Sequence, residues 1–64
     1  MRVYKTQPDK AGYYYVIRAY IDGTIHLSLN NNSTSFHTEM WLHQDCIKLL
    51  RKALRHEQFV MLEG

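Results

Sequence analysis

The stretch AGYYYVIRAYIDG, residues 11–23, decides the predicted fold of this chain. It alternates apolar side chains with polar or basic ones and ends at Asp22-Gly23, a strong signal for a β-hairpin turn. A loop of Ile21, Asp22 and Gly23, with Gly23 in the left-handed conformation, directs the apolar side chains of both strands to one face. The predicted pairs are Tyr15–Leu29, Ile17–Leu27 and Ala19–Ile25.

Two further turn signals extend this hairpin into a meander of strands. The run from Pro8 to Gly12 closes a first strand over residues 2–6, and the run NNNS at 30–33 marks another reversal. A tight turn at Asn31-Asn32 predicts that Leu27 pairs with Phe36 and Ile25 with Thr38. The last strand of the meander ends at Leu42.

A helix follows the strands. On a 3.6-residue wheel, one apolar arc holds Cys46, Ile47, Leu49, Leu50, Ala53 and Leu54, and the opposite side holds Lys48, Arg51, Lys52 and Arg55. His43 or Asp45 can begin the helix. The predicted fold is α+β: one domain, residues 1–64, with a three- to four-stranded antiparallel meander and a C-terminal amphipathic helix on one face.

The tail FVML, residues 59–62, is too apolar to be left in water. Three placements stay open: an edge strand, a cover for the helix, or a contact with a second subunit. Phe59, Met61 and Leu62 are therefore candidate contacts of a homodimer.

Composition narrows the class of protein. The apolar fraction is 45%, and the net charge of +2 is small compared with that of many nucleic-acid-binding proteins. A single cysteine, Cys46, cannot form an internal disulfide, which favours a reducing compartment. The first ten residues lack the apolar core of a signal peptide, and no run is long enough to span a membrane. We expect a cytoplasmic protein without a membrane partner.

Strand alternation predicts two different faces of the sheet. The face under the helix is expected to hold Tyr13, Tyr15, Ile17, Ala19, Ile25, Leu27, Leu29, Phe36, Met40 and Leu42. The opposite face, called the outer face below, is expected to hold Tyr14, Val16, Arg18, Tyr20, His26, Ser28, Ser35, His37, Glu39 and Trp41. The outer face therefore carries the side chains that are free to act.

Candidate chemistry on the outer face is limited. The predicted register places Arg18, His26 and His37 in one row, where the two imidazoles with Glu39 could ligate a metal. The fixed charge of Arg18 disfavours a cation, so we predict no metal and no cofactor. An anionic ligand for this row and simple solvent exposure of it both stay open.

The sequence offers no catalytic grouping. His43 and Cys46 lie three residues apart, but Cys46 falls within the apolar arc and is expected to be a core residue. No glycine-rich phosphate loop or paired carboxylates are visible. We therefore predict a protein that is not an enzyme.

The residues most suited to binding a partner are aromatic and basic. Large aromatics and arginine often anchor protein interfaces, which makes Tyr14, Arg18, Tyr20, His26, His37 and Trp41 the predicted contact residues. The helix stripe of Lys48, Arg51, Lys52 and Arg55 is a solvated face or contacts phosphates or an acidic partner.

The segment DGTIHLSLN, followed by SFHTEMWLHQDCIKLLRKAL, resembles the strand, strand and helix of small transcription cofactors that bind single-stranded DNA. That resemblance covers about forty residues and implies a curved four-stranded sheet, a C-terminal helix and dimerisation through it. The long basic hairpin of that family is replaced here by the short turn NNNS.

Three functions follow from these observations. The first is stoichiometric binding of a macromolecule, a protein or a nucleoprotein complex, in the manner of phage or mobile-element inhibitors such as anti-CRISPR proteins. The second is single-stranded nucleic-acid binding on the aromatic sheet face. The third is a small structural subunit of an assembly, held by the FVML tail and the helix.

Overall fold

The computed structural model describes residues 1–63 and contains one five-stranded antiparallel sheet and one short helix. The elements are β1 (Arg2–Thr6), β2 (Tyr13–Ala19), β3 (Thr24–Asn31), β4 (His37–His43), a 3₁₀ turn (Gln44–Cys46), α1 (Ile47–Ala53) and β5 (Phe59–Glu63). The strand order across the sheet is β4-β3-β2-β1-β5. Every neighbouring pair is antiparallel.

The predicted α+β class with an antiparallel sheet and one helix is confirmed, but its detail is wrong in two respects. The sheet has five strands rather than three or four, and the helix lies between β4 and β5 rather than at the C-terminus. The tail adopts the edge-strand placement: Phe59 pairs with Thr6, and Met61 pairs with Tyr4. Pairing with β1 satisfies the backbone groups on one side of this segment, while Val60, Met61 and Leu62 stay more than half exposed.

The first hairpin has the predicted register. Tyr15 lies opposite Leu29, Ile17 opposite Leu27 and Ala19 opposite Ile25. Gly23 has a φ of +92°, and its N–H donates to the carbonyl of Tyr20 at 3.1 Å. A positive φ there favours glycine because it has no Cβ, which is why the Asp-Gly signal fixed the loop correctly.

The second hairpin differs from the prediction by four residues. Leu27 pairs with Met40 rather than Phe36, and Ile25 pairs with Leu42 rather than Thr38. Instead of forming a tight turn, the Asn31 side chain donates to the carbonyl of Ala11 at 2.9 Å, and the Asn32 N–H donates to that of Gly12 at 2.9 Å.

These contacts tie Asn31 and Asn32 to the turn between β1 and β2. The positive φ values of a tight turn are also missing there, since no non-glycine residue in the described chain has one. β3 therefore continues through Asn31, and the loop spans residues 32–36. Because four is an even number, each side chain stays on its predicted face.

The helix covers only part of the face beneath it. Leu50 is buried, whereas Leu49, predicted to face the core, is 71% exposed, and Ala53 is also exposed. Arg51 is exposed, as predicted, and also lines, with Tyr4, Ile25 and Phe59, a cleft of about 370 Å³ between helix and sheet. Two turns of helix are too short to close this face.

Side chains on the part of the helix-facing side that the helix does not cover are exposed to solvent. Tyr13 and Phe36 form an edge-to-face pair with centroids 5.6 Å apart, and both are exposed. Met40, also predicted to be buried, is 53% exposed. The prediction of a fully buried face was therefore wrong for these three residues, because the helix ends before it reaches them.

The outer face contains unexpected burial. Val3, Val16, His26 and Ser28 are all buried. Two of them, His26 and Ser28, lie on β3, where neighbouring side chains cover them. Arg18 and Trp41 flank His26, and the amide of Asn30 covers the hydroxyl of Ser28. Ser35, predicted on this face, lies in the loop.

Candidate partner-binding face

An aromatic pair dominates the exposed part of the outer face. The rings of Tyr20 and Trp41 stack with centroids 6.1 Å apart and an interplanar angle of 28°. Tyr20 is 37% exposed and Trp41 60% exposed. Tyr20 is fixed at the end of the first hairpin by its N–H, which donates to the carbonyl of Thr24 at 2.9 Å. The pair presents a broad apolar surface held by backbone hydrogen bonds.

Polar side chains of the outer face lie next to this aromatic pair, and one of them, His26, packs against Trp41. The register places His26 between Arg18 and Trp41. Its ring centroid lies 4.4 Å from that of Trp41, and its Nε2 lies 2.6 Å from Oε2 of Glu39. Arg18 Nη1 is 3.4 Å from His26 Nδ1. A guanidinium can only donate hydrogen bonds, so His26 Nδ1 accepts one. We infer that His26 Nε2 carries the ring proton and donates the hydrogen bond to Glu39.

A second imidazole approaches the same carboxylate. His37 Nε2 lies 3.4 Å from Glu39 Oε2, and His37 Nδ1 lies 2.6 Å from Asn30 Oδ1. The Asn30 amide donates to the hydroxyl of Ser28 at 3.1 Å, which leaves its oxygen to accept from His37. The hydrogen bond from His26, and then that from a His37 ring protonated at both nitrogens, lower the pKa of Glu39 below its ordinary value of 4.5. Glu39 is thus a fixed negative charge on this face.

The observed row differs from the predicted one. Arg18 and His26 are adjacent as predicted, but Trp41 rather than His37 lies opposite His26. His37 pairs with Asn30, four residues further along β3 than His26, because of the four-residue displacement of β4. Glu39 supplies an internal carboxylate next to both imidazoles, in the place that an external anion would take.

Glu39 and the two imidazoles are also the residues considered from the sequence as metal ligands. His26 Nε2 and His37 Nε2 both lie at hydrogen-bonding distance from Glu39 Oε2. In the part of the chain that the structure describes, no group of three His, Cys, Asp or Glu side chains is placed to hold a metal ion.

Tyr14, the remaining predicted contact, is half-buried at the β1 side of the outer face. The Lys5 ammonium lies 4.7 Å from the centroid of its ring. Sequence reasoning missed Lys5 because it left the position of the first strand open. It also left Glu39 and Asn30 out of the predicted contact residues. The alternation in RVYKT is the signal that could have placed Val3 and Lys5 on one face.

The other predicted site residues lie away from the outer face. The predicted basic stripe is exposed around the helix: Lys48, Arg51, Lys52 and Arg55. Met61 and Leu62 are exposed on β5, whereas Phe59 is half-buried on the cleft wall. These residues therefore form no single surface with Trp41.

His43 contacts Asp45 rather than Cys46. The Asp45 N–H donates to His43 Nδ1 at 3.2 Å, which makes His43 the N-cap of the 3₁₀ turn. This agrees with the prediction that His43 or Asp45 begins the helical segment. Cys46 is half-buried and free.

Comparisons with protein-family models, with curated proteins and with solved structures found no match for this chain. Among the described residues, no helix has both the length and the apolar character needed to cross a membrane. The outer face must therefore be interpreted from its own geometry.

Proposed function

We propose that this protein is a non-enzymatic binding protein that captures another protein, alone or within a nucleoprotein complex, through its outer face. The observation that carries the proposal is the exposed Tyr20–Trp41 stack, supported by the His26–Glu39 hydrogen bond. Tyr and Trp are among the residues that most often supply binding energy at interfaces. Side chains already held in place lose less entropy on binding. A stoichiometric inhibitor of the phage type is one form of this function.

The charge on the outer face favours a partner with a basic side chain. Glu39 is two residues from Trp41 on the same face of β4, and its side chain is about half exposed. A lysine or arginine of the partner can lie over the Trp41 ring and pair with the Glu39 carboxylate. A phosphate chain is less suited, because Glu39 repels it and Lys5 already covers one face of Tyr14.

The test is capture of the partner by matched variants. The double variant Tyr20→Ala/Trp41→Ala removes the aromatic pair of the outer face. The control, Tyr13→Ala/Phe36→Ala, removes the exposed aromatic pair of the opposite face. Immobilised proteins are incubated with an extract of the native host, and retained proteins are identified by mass spectrometry. We expect the first variant alone to lose the partner that the wild type retains stoichiometrically. Equal retention by both variants would remove the outer face from the function.

Single-stranded nucleic acid is the second candidate ligand, favoured by the cations Lys5 and Arg18 on the aromatic face. Glu39→Gln separates the two candidates by the sign of its effect, and Glu57→Gln, an exposed carboxylate outside the outer face, is the control. Loss of the negative charge weakens capture of a basic protein partner but strengthens binding of an unstructured oligonucleotide. Oligonucleotide binding that falls steeply with added salt and rises in Glu39→Gln would replace the protein partner with nucleic acid.

A further inference from the structure

The edge strand β4 presents unpaired backbone groups to solvent. Among residues 1–63, β4 pairs with β3 alone. The Gln44 N–H donates to the carbonyl of Gly23 on the β3 side at 2.8 Å, and antiparallel pairs alternate in the direction of their backbone groups. Even-numbered residues of β4 therefore bond to β3, and the N–H and C=O groups of His37, Glu39, Trp41 and His43 point outward.

This edge lacks the usual protection against pairing with another chain. Proteins shield edge strands with proline, charged side chains, lysine above all, β-bulges or short length. β4 is seven residues long, contains no proline, lysine or arginine, has Glu39 as its one acidic residue, and pairs with β3 in an unbroken register. The opposite edge, β5, is five residues long and has a register shift against β1 between Val3 and Tyr4. A bulge of this kind bends a strand and disrupts further pairing.

We propose that β4 pairs with β4 of a second copy of this chain, antiparallel and around a two-fold axis at Met40. In this register Glu39 lies opposite Trp41 of the second copy, and His37 lies opposite its His43. Each of these four residues then exchanges an N–H and a C=O bond with its opposite residue. The two sheets become one continuous sheet.

Three observations favour this register. It pairs all seven residues of β4, whereas any shift leaves part of the strand unpaired. It also places the outward-pointing groups opposite one another, as a ladder requires. Finally, it avoids like charges: an axis at Glu39 would place two carboxylates opposite each other, which destabilises a strand pair.

The side chains at the axis are apolar on the helix-facing side. Met40 would face its own copy as a pair that is not hydrogen-bonded, the closer of the two antiparallel spacings. Around Met40, Tyr15, Leu27 and Leu29 line a small apolar hollow that the helix leaves open. A second copy would join its own hollow to this one and remove Met40 from water. Isologous contacts of this kind close on themselves instead of growing into fibres.

The experiment is sedimentation equilibrium of the wild type and two matched variants. Met40→Lys places two ammonium groups at the axis, and Met61→Lys makes the same change at a 57% exposed position on the β5 edge. Both methionines are more than half exposed, so both variants should keep the fold, as circular dichroism will verify. We expect Met40→Lys to raise the dimer Kd at least about tenfold and Met61→Lys to leave it unchanged.

A covalent test fixes the register. In a Cys46→Ser background, Met40→Cys should form a disulfide-linked dimer on air oxidation, because a non-hydrogen-bonded pair has a Cα separation of about 4.5 Å, within the range that disulfides span. The same change at Met61 should not. A wild type that stays monomeric up to about 1 mM, or dissociation by Met61→Lys instead of Met40→Lys, would overturn the proposal. A short peptide strand bound at β4 in place of a second copy would also overturn it.

This inference shares Glu39 and Trp41 of β4 with the proposed function, but the two can be tested at different residues. Met40 faces the helix side, and Trp41 faces the opposite side. Loss of dimer in Met40→Lys with retained partner capture, or loss of capture with a retained dimer in Tyr20→Ala, whose residue lies outside β4, would therefore tell the two apart.

Discussion

Val16 and Leu49 exchange the roles that the sequence pattern predicts for them, and this exchange can be measured. Val16 belongs to the predicted outer face but is only 9% exposed, and Leu49 belongs to the predicted core arc of the helix but is 71% exposed. Val16→Ala removes two methyl groups at about 0.8 kcal/mol each and leaves part of a cavity. We expect a loss of roughly 1.5–2.5 kcal/mol in the free energy of unfolding.

The same reasoning predicts little change at Leu49. Its side chain is mostly in water, and alanine is at least as good a helix former as leucine, so Leu49→Ala should change stability by less than about 0.5 kcal/mol. Val60→Ala is the matched control for Val16→Ala, because Val60 is also in a strand but is 51% exposed. The difference between the two valine variants reports burial rather than strand propensity.

Urea unfolding followed by far-UV circular dichroism at pH 7 measures all three variants. A chain of 64 residues has a total stability of roughly 3–10 kcal/mol. A loss of 1.5–2.5 kcal/mol is therefore easily resolved, and corresponds to a fall in Tm of about 6–20 °C. Equal losses in Val16→Ala and Val60→Ala, or a larger loss in Leu49→Ala than in Val16→Ala, would refute the burial of the outer face.

Three further changes test the turns and the ionic row. Hydrogen bonds lower the pKa of Glu39 in the folded protein. The ionised carboxylate therefore stabilises the fold above the ordinary pKa of 4.5, and this stabilisation is lost as the pH falls through the lower folded pKa. Thermal melting should show the wild type and Glu39→Gln converging below about pH 4.5. Gly23→Ala should cost about 1–2 kcal/mol in thermal melts, because alanine is strained at a φ of +92°; an unchanged Tm would contradict that backbone conformation. Asn31→Ala should cost about 1–3 kcal/mol in urea unfolding, because it removes the buried amide that donates to Ala11 and accepts from Ser33, and an unchanged free energy of unfolding would show that this pair of bonds contributes nothing.

Local sequence signals predicted the strand register correctly where the contacts that determine it are close in sequence. The alternation around Tyr15 and the Asp22-Gly23 turn predicted the β2–β3 register correctly, because both ends of that hairpin are set within a few residues of the turn. The register of β4 could not be predicted in this way. Asn31 forms its hydrogen bond with Ala11, 20 residues away, and a contact of that separation leaves no pattern in the neighbouring residues.

Burial was less predictable than the direction of side chains. Parity assigns Val16 to the face opposite the helix, but it does not reveal that Val16 is buried there. Likewise, the apolar arc identified the helix but not its length, and a helix ending at Ala53 leaves Met40 uncovered. The tail was ambiguous for the same reason, since FVML is equally apolar in each of the placements considered.

The four-residue displacement of β4 is also what assembles the candidate site. In the predicted register Trp41 would lie opposite Asp22 in the turn, and Glu39 opposite Thr24, so His26 would face only a second imidazole. In the observed register Trp41 stacks on Tyr20 and covers His26, while Glu39 accepts a hydrogen bond from the His26 ring. The buried His26 imidazole, hydrogen-bonded at both ring nitrogens, packs against the Trp41 ring and restrains it. The aromatic surface is thus fixed before any partner arrives, which lowers the entropy lost on binding.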